Sequence, residues 1–186
     1  MTSTTSNNDF WITHLDCPDY PIIQSEITIW LDPQVEYFKQ RKVYFEHIDH
    51  HALLGACPSL VRWLEKIGTG PVRVAALILN GPNSRGEIHT DTQRNDLALN
   101  IGIQTEGTYT NLYTIKTGTP YTVTMPTGNT FTKYDKCEFE QYKRYEIVGG
   151  PIMFNTKRLH QVINPTNIWR LAISLRFEQD PWHLAN

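Results

Sequence analysis

Cysteine is scarce in this chain, and its scarcity removes two classes of protein at once. The three cysteines, Cys17, Cys57 and Cys137, are odd in number and widely spaced, and no CxxC occurs. Neither a disulfide framework nor a zinc–thiolate site is expected, and a reducing compartment is the simpler setting. An excess of one charge is also missing. Lys and Arg number 17 against 19 Asp and Glu, a formal net charge of −2. That balance leaves no electrostatic footprint for nucleic acid and no basic patch for an anionic membrane, so neither is expected as a partner. No apolar run approaches the ~18 residues needed to span a bilayer. Residues 1–9 are rich in Ser, Thr and Asn, with no basic stretch leading into an apolar one. No signal peptide is expected, and the location reads as cytoplasmic. Repeats and low-complexity tracts are absent.

What is present fits one ordinary domain. In 186 residues, roughly two thirds of the unfolded surface can be buried, so folding needs no structural metal and any metal bound would be functional. Residues 1–8 read as a frayed tail. Phe10 to Leu15 and Glu26 to Leu31 alternate enough to predict short strands, with Pro18 and Pro21 in the turn between them. Asp32-Pro33 carries the signature of a helix start, Asp as N-cap and Pro at the first helical position, predicting a helix from Pro33 to about Lys42. A better-marked helix follows Pro58-Ser59, with Leu60, Val61, Trp63, Leu64 and Ile67 as an apolar stripe and Gly68 as its stop.

From Val72 onward the character changes to short β-rich runs divided by Gly, Pro, Asn and Thr. Strands are predicted at Val72–Asn80, Glu87–Thr92, Asp96–Gln104, Thr108–Ile115, Pro120–Met125, Arg144–Val148, Ile152–Asn155, His160–Asn164 and Trp169–Phe177. That many strands at this spacing indicate a sandwich or a barrel. The expected organisation is an N-terminal part, residues 1–71, whose helices pack on a β core of residues 72–186. The stretch from Thr127 to Tyr142 reads as the longest loop, either a lid over a site or a surface loop.

His89-Thr90-Asp91 falls in a predicted strand, where residues two apart point to one face, so both side chains can reach one ion. His160 opens another strand and supplies a third ligand. Two imidazoles and one carboxylate on one side of a metal leave its other positions open, which suits an Fe(II) that must accept a cosubstrate and O2. His-x-Asp alone is a weak signal. A second copy, His47-Ile48-Asp49 followed by His50 and His51, lies between predicted helices and reads as a polar surface segment. The neighbourhood of His89 is more telling. In the next strand Leu97, Leu99, Ile101 and Ile103 share one face, and Ala98, Asn100 and Gly102 share the other. The last strand repeats this, with Leu171, Ile173, Leu175 and Phe177 opposed to Arg170, Ala172, Ser174 and Arg176. A face of small residues beside isolated polar groups is either the wall of a ligand cavity or a solvated surface. Arg170 favours the cavity, because a guanidinium fork matches a carboxylate and a buried Arg requires an anion.

Taken together, His89-Thr90-Asp91, His160 and Arg170 resemble the HxD…H…R signature of the Fe(II)/2-oxoglutarate-dependent oxygenases. The likeness covers roughly residues 72–177, including the closing run Arg-Leu-Ala-Ile-Ser-Leu-Arg-Phe, and points to small members of phage and bacterial type. It implies a mainly β fold, a double-stranded β-helix (jelly roll, cupin-like) with a short α-helical N-terminal part. It further implies Fe(II) held by His89, Asp91 and His160, and 2-oxoglutarate held by Arg170, with Asn100 a further contact. Ala172 departs from members that place Ser there, and Arg176 shares the face of Arg170. Either arginine can therefore take the carboxylate, and spacing favours Arg170. The expected activity is dioxygenase chemistry with O2 that hydroxylates a small molecule or a peptide side chain. Aromatics at Tyr113, Tyr134 and Trp169 either line an entrance or belong to the core. The competing readings are a cupin-like metal enzyme that does not use 2-oxoglutarate and a non-enzymatic jelly-roll binding module.

Overall fold

The first long element is a single helix in the region where the sequence predicts a strand followed by a helix. In a computed structural model that describes residues 11–40, 44–92, 94–125 and 130–185, strand β1 (Ile12–His14) leads into helix α1 (Tyr20–Gln40). Glu26–Leu31 is therefore helical, and Asp32-Pro33 lies inside the helix instead of starting it. Tyr20, Ile23, Ile27, Leu31, Val35 and Phe38 are its buried residues. Their spacing of three and four is the helical period, and six residues of β-like alternation are too short to compete with it. Each fully buried Ile or Leu on this face contributes roughly 1.5–3 kcal/mol. Of the helix predicted to reach Lys42, residues 41–43 lie outside the described residues.

Strand β2 (Phe45–Ile48), helix α2 (His50–Ala56) and helix α3 (Pro58–Ile67) follow. They also explain the second His-x-Asp. His47 sits on β2 at the edge of a sheet. Asp49 is the N-cap of α2, its Oδ1 accepting from the backbone N–H of His51 (2.9 Å) and Ala52 (3.2 Å). Helix α3 is as predicted, closed by Gly68 in the left-handed conformation at φ 71°.

The remaining strands are β3 (Val72–Asn80), β4 (Ser84–Arg85), β5 (Thr90–Asp91), β6 (Leu97–Gln104), β7 (Tyr109–Thr124), β8 (Thr130–Tyr145), β9 (Ile152–Asn155), β10 (Leu159–Asn164) and β11 (Arg170–Phe177). They form a six-stranded sheet in the order β1-β9-β6-β11-β3-β2 and a five-stranded sheet in the order β4-β10-β7-β8-β5. All pairings are antiparallel, and the chain passes back and forth between the sheets. This winding is that of a jelly roll, so the mainly β double-stranded β-helix is the fold. The larger core lies between the helices and the outer face of the six-stranded sheet, where Leu77, Leu79, Leu97, Leu99, Ile101, Leu171, Ile173, Leu175 and Phe177 meet Ile23, Ile27, Leu31, Leu60 and Leu64. A smaller cluster, with Leu112, Tyr145, Ile152, Phe154 and Ala172, fills the space between the sheets.

One expectation for the β region is overturned. Residues 130–142 are not loop but most of β8, which pairs with β7 in a hairpin of two 16-residue strands. Strand β7 itself runs through the two strands predicted separately at 108–115 and 120–125. Much of this hairpin is exposed on both faces, so no apolar alternation marks it in the sequence. The predicted strand Arg144–Val148 is reduced to the end of β8 at Tyr145. Residues 126–129, where part of the predicted loop falls, lie outside the described residues.

A candidate metal centre between the sheets

His89 and His160 are brought face to face by the backbone. The His89 N–H donates to the His160 carbonyl (3.1 Å), and the His160 N–H donates to that of His89 (3.0 Å). This reciprocal bridge sets the two imidazoles 4.4 Å apart, tilted by 52°. Asp91, two residues beyond His89, is anchored by its own N–H donating to the Thr156 carbonyl (3.0 Å). Its Oδ1 lies 3.5 Å from His89 Nε2 and 4.0 Å from His160 Nε2. One donor atom from each of the three residues falls within 4.8 Å of the others. Ligand atoms around a single ion at ~2.1 Å sit about 3 Å apart, so modest side-chain closure would complete the site. Among the described residues no other group of three His, Cys, Asp or Glu offers such a cluster.

Each imidazole is held in the same way. His89 Nδ1 is 2.9 Å from the Glu87 carbonyl, and His160 Nδ1 is 2.9 Å from the Arg158 carbonyl. A proton on Nδ1 bonded to a carbonyl leaves the Nε2 lone pair for the metal. Each ring also has a phenylalanine close to perpendicular: Phe131 on His89 (4.8 Å, 78°) and Phe154 on His160 (4.9 Å, 84°).

The electrostatics prepare these ligands for a cation. Burial lowers the His160 pKa to about 4, reinforced by the nearby His89, so it is neutral at physiological pH. Burial on its own would raise Asp91. Its contact with His89, the proximity of His160 and the charge of Arg176 outweigh it and hold the carboxyl far below the ordinary carboxylate range. The direct partner is Arg176, whose Nη2 donates to Asp91 Oδ2 at 2.6 Å. Arg176 Nη1 donates to the Leu97 carbonyl (3.2 Å) and to Thr156 Oγ1 (3.0 Å).

Arg170 is in a different position. Only 3% exposed, it makes one hydrogen bond among the described residues, from Nη1 to Asn80 Oδ1 (3.0 Å). Its Nε is buried without a partner, and so is Asn100 Oδ1. Burial pushes the guanidinium pKa down to about 10, with the Tyr145 hydroxyl close enough to act against that shift. Tyr145 in turn is hydrogen-bonded to Thr110, directly opposite it on β7. Thr110 is two residues from Leu112, which stands opposite His160. The alternating faces read from the sequence are realised on β11: Leu171, Ile173, Leu175 and Phe177 belong to the helix-side core, and Ala172 to the cluster between the sheets.

The three aromatics named from the sequence do not gather at the ligands. Tyr113 lies on the face of β7 opposite Leu112 and donates to Gln161 Oε1 (2.8 Å). Trp169 packs on the helix-side core. Tyr134 stands on the outer hairpin, opposite Pro120. The residues at the site that sequence reasoning missed are Phe131, Phe154 and Tyr145. Phe131 fell in a segment read as loop, and nothing local distinguishes the other two from ordinary core aromatics.

No protein-family model matches the chain, and no curated protein matches its sequence. Solved structures do resemble it. EvdMO1 aligns at 14% identity and a TM-score of 0.50, over 89% of this chain and 46% of that one. AviO1 from Streptomyces viridochromogenes Tue57 aligns at 14% identity and a TM-score of 0.49, over 94% of this chain and 95% of that one. Oxalate decarboxylase from Bacillus subtilis aligns at 17% identity and a TM-score of 0.31, over 60% of this chain. This chain thus spans about half the length of EvdMO1 and about a fifth of oxalate decarboxylase, 22%. The likeness to EvdMO1 is one of fold. Among the described residues no helix is long and apolar enough to cross a membrane.

Proposed function

We propose that this chain is an Fe(II)- and 2-oxoglutarate-dependent oxygenase that hydroxylates a C–H bond of a small molecule or a peptide side chain. The observation that carries the reading is Arg170, a buried guanidinium with no carboxylate partner among the described residues, inside the same barrel as a neutral His160 and an ionised Asp91. Leaving a buried charge unpaired costs several kcal/mol unless an anion arrives to meet it. A dicarboxylate with one end at the metal and the other at Arg170 would supply that anion.

The donor set fits the ion. His89, Asp91 and His160 would occupy one face of Fe(II), the arrangement of two His and one carboxylate that leaves positions open for other ligands. When bound, the metal with 2-oxoglutarate and O2 supplies oxidative decarboxylation to succinate and CO2, coupled to substrate hydroxylation. The protein's own residues do the rest. Arg176 holds Asp91 Oδ2, so that Oδ1 faces the histidines. The Glu87 and Arg158 carbonyls fix the ring orientations. Arg170 pairs with the far carboxylate beside the Tyr145 hydroxyl. Asn100, whose buried amide lacks an acceptor-side partner, can turn its NH2 toward the same anion. Leu112 and Phe154, in the apolar cluster between the sheets, would shield the bound cosubstrate from water. Arg170 is favoured over Arg176 because the latter is already committed to Asp91, Leu97 and Thr156.

Anaerobic protein with Fe(II) and 2-oxoglutarate should develop a weak visible charge-transfer band. His89→Ala and His160→Ala should abolish it with the fold retained, and its persistence in both would defeat the proposal. Arg170→Ala should raise the 2-oxoglutarate concentration needed for half the band by about 100-fold, in line with a lost charge-assisted pair of 2–3 kcal/mol. If Arg176→Ala does this while Arg170→Ala does not, the roles of the two arginines are reversed. Succinate release across a panel of amino acids, peptides and other small molecules would then identify the substrate.

A further inference from the structure

The two metal-facing imidazoles are gripped alike but by unequal partners. Phe154, which braces His160, belongs to β9 and is 3% exposed, fixed in the packed space between the sheets. Phe131, which braces His89, belongs to the outer end of the β7–β8 hairpin.

That end of the hairpin must curl to reach His89. Across the five-stranded sheet His89 faces His160, His160 faces Leu112 and Leu112 faces Lys143. Eleven residues back along β8, Thr132 pairs with Thr90 and Phe131 with Asp91. Eleven extended residues span about 36 Å, so a straight hairpin would carry Phe131 well away from the barrel. Register breaks at Leu112/Tyr113, Ile115/Thr117 and Thr117/Thr119 bend it instead. At one break Gly118, φ 152°, lets β7 approach β8, where a Cβ would lie 2.9 Å from that of Cys137. The strand pairing thereby closes into a ring, from β5 through β8, β7 and β10 back to His89. The join is small: the two pairs Thr90–Thr132 and Asp91–Phe131, a contact between the Thr92 and Thr130 hydroxyls, and the Lys133–Glu87 ion pair.

We propose that Phe131 is a positioning residue for His89, and that docking of the β7–β8 hairpin on the His89–Asp91 segment is thermodynamically linked to metal binding at His89, Asp91 and His160. Two ligands stand on this short segment: Asp91 is held from the six-stranded side by Thr156 and Arg176, while the His89 ring has the bridge to His160 on one side and the hairpin's Phe131 on the other. The hairpin therefore contributes to how well His89 is held, and by reciprocity a bound ion must strengthen the hairpin's hold.

This rests on the metal-site reading, and the test separates the two. Co(II) titration into the metal-free full-length chain, followed by its visible spectrum, gives the affinity. Hydrogen exchange by mass spectrometry on peptides covering 130–136 gives the docking. In wild type, Co(II) should bind at one equivalent and slow exchange in those peptides. Phe131→Ala should weaken Co(II) by about 10-fold or more, the effect expected of a residue that orients a metal ligand, and remove the metal-dependent protection. Phe131→Tyr, which keeps the ring on His89, should restore both. Unchanged Co(II) affinity in Phe131→Ala, or exchange in 130–136 indifferent to Co(II), overturns the linkage while leaving the metal site standing. Stoichiometric Co(II) binding that survives His89→Ala sinks the metal-site reading, and this proposal with it.

Discussion

Arg170 and Arg176 are six residues apart on the same face of the same strand, yet they have opposite standing. Arg176 has an ionised carboxylate at 2.6 Å and two further acceptors. Arg170 has one neutral amide oxygen, and its Nε is buried without a partner. A residue kept for structure is satisfied within the fold, and one kept for a ligand is satisfied only when the ligand is present. In the metal-free, ligand-free protein Arg170 is therefore a stability liability. Arg170→Met, which keeps the stem and removes the charge, should leave stability unchanged or raise it by about 1 kcal/mol, while weakening 2-oxoglutarate binding by about the same 100-fold as Arg170→Ala. Denaturant unfolding of the apo-protein measures this. A loss of more than about 2 kcal/mol would show that Arg170 holds the barrel together and is not a ligand group. The sequence exposes both arginines but not their difference, because what distinguishes them is the company of Asn80, Leu97 and Thr156, brought up from distant strands.

Among the elements, those with a buried and a clean apolar face are legible, and those defined by long-range pairing are not. Strands β3 and β9 and helix α3 agree with their predicted limits, since Leu77 and Leu79, or Leu60 and Leu64, must face the same core. The β8 arm of the hairpin escapes notice because its pairing is what makes it a strand, and most of its side chains face solvent. Helix α1 is misread for a different reason: Asp-Pro is a good helix start, but tertiary packing of Ile23, Ile27, Leu31 and Val35 extends the helix straight through it. The consequence is measurable. Pro33 has no N–H to give the Ile29 carbonyl, and a proline inside a helix costs up to about 3 kcal/mol relative to alanine. Pro33 is exposed, so Pro33→Ala removes no core packing and should stabilise the protein by about 1–3 kcal/mol, seen as a rise in Tm. A fall would mean that the proline shapes the helix for its contact with β6.

At the scale of the whole molecule, the three proposed cosubstrate-side residues and the leucines that carry stability lie on opposite sides of the six-stranded sheet, while His89, Asp91 and His160 belong to the facing five-stranded one. The six-stranded sheet shows Arg170, Asn100 and Arg176 to the barrel interior and its leucines to the helices. Half of the buried residues in that helix-side cluster, from Cys17 to Leu64, come from the first 71 residues. Strands β1 and β2 from the same segment form both edges of the sheet. Reading 1–71 as an extension on a 72–186 core describes where the site residues fall, and we propose that it does not describe a folding unit. A fragment of residues 72–186 would contain all six proposed site residues and leave Leu77, Leu79, Leu97, Leu99, Ile101, Leu171, Ile173 and Leu175 without the cover of the helices. Every one of them is at most 6% exposed in the full chain. At roughly 1.5–3 kcal/mol for each buried aliphatic side chain, the lost cover of eight such residues, about 12–24 kcal/mol, is as large as or larger than the 5–15 kcal/mol by which domains are usually stable. The fragment should show no cooperative unfolding transition, should bind a hydrophobic dye and should fail to take up Co(II). A fragment that unfolds cooperatively and still binds one Co(II) would show that the barrel closes by itself and that the helices are an addition to it.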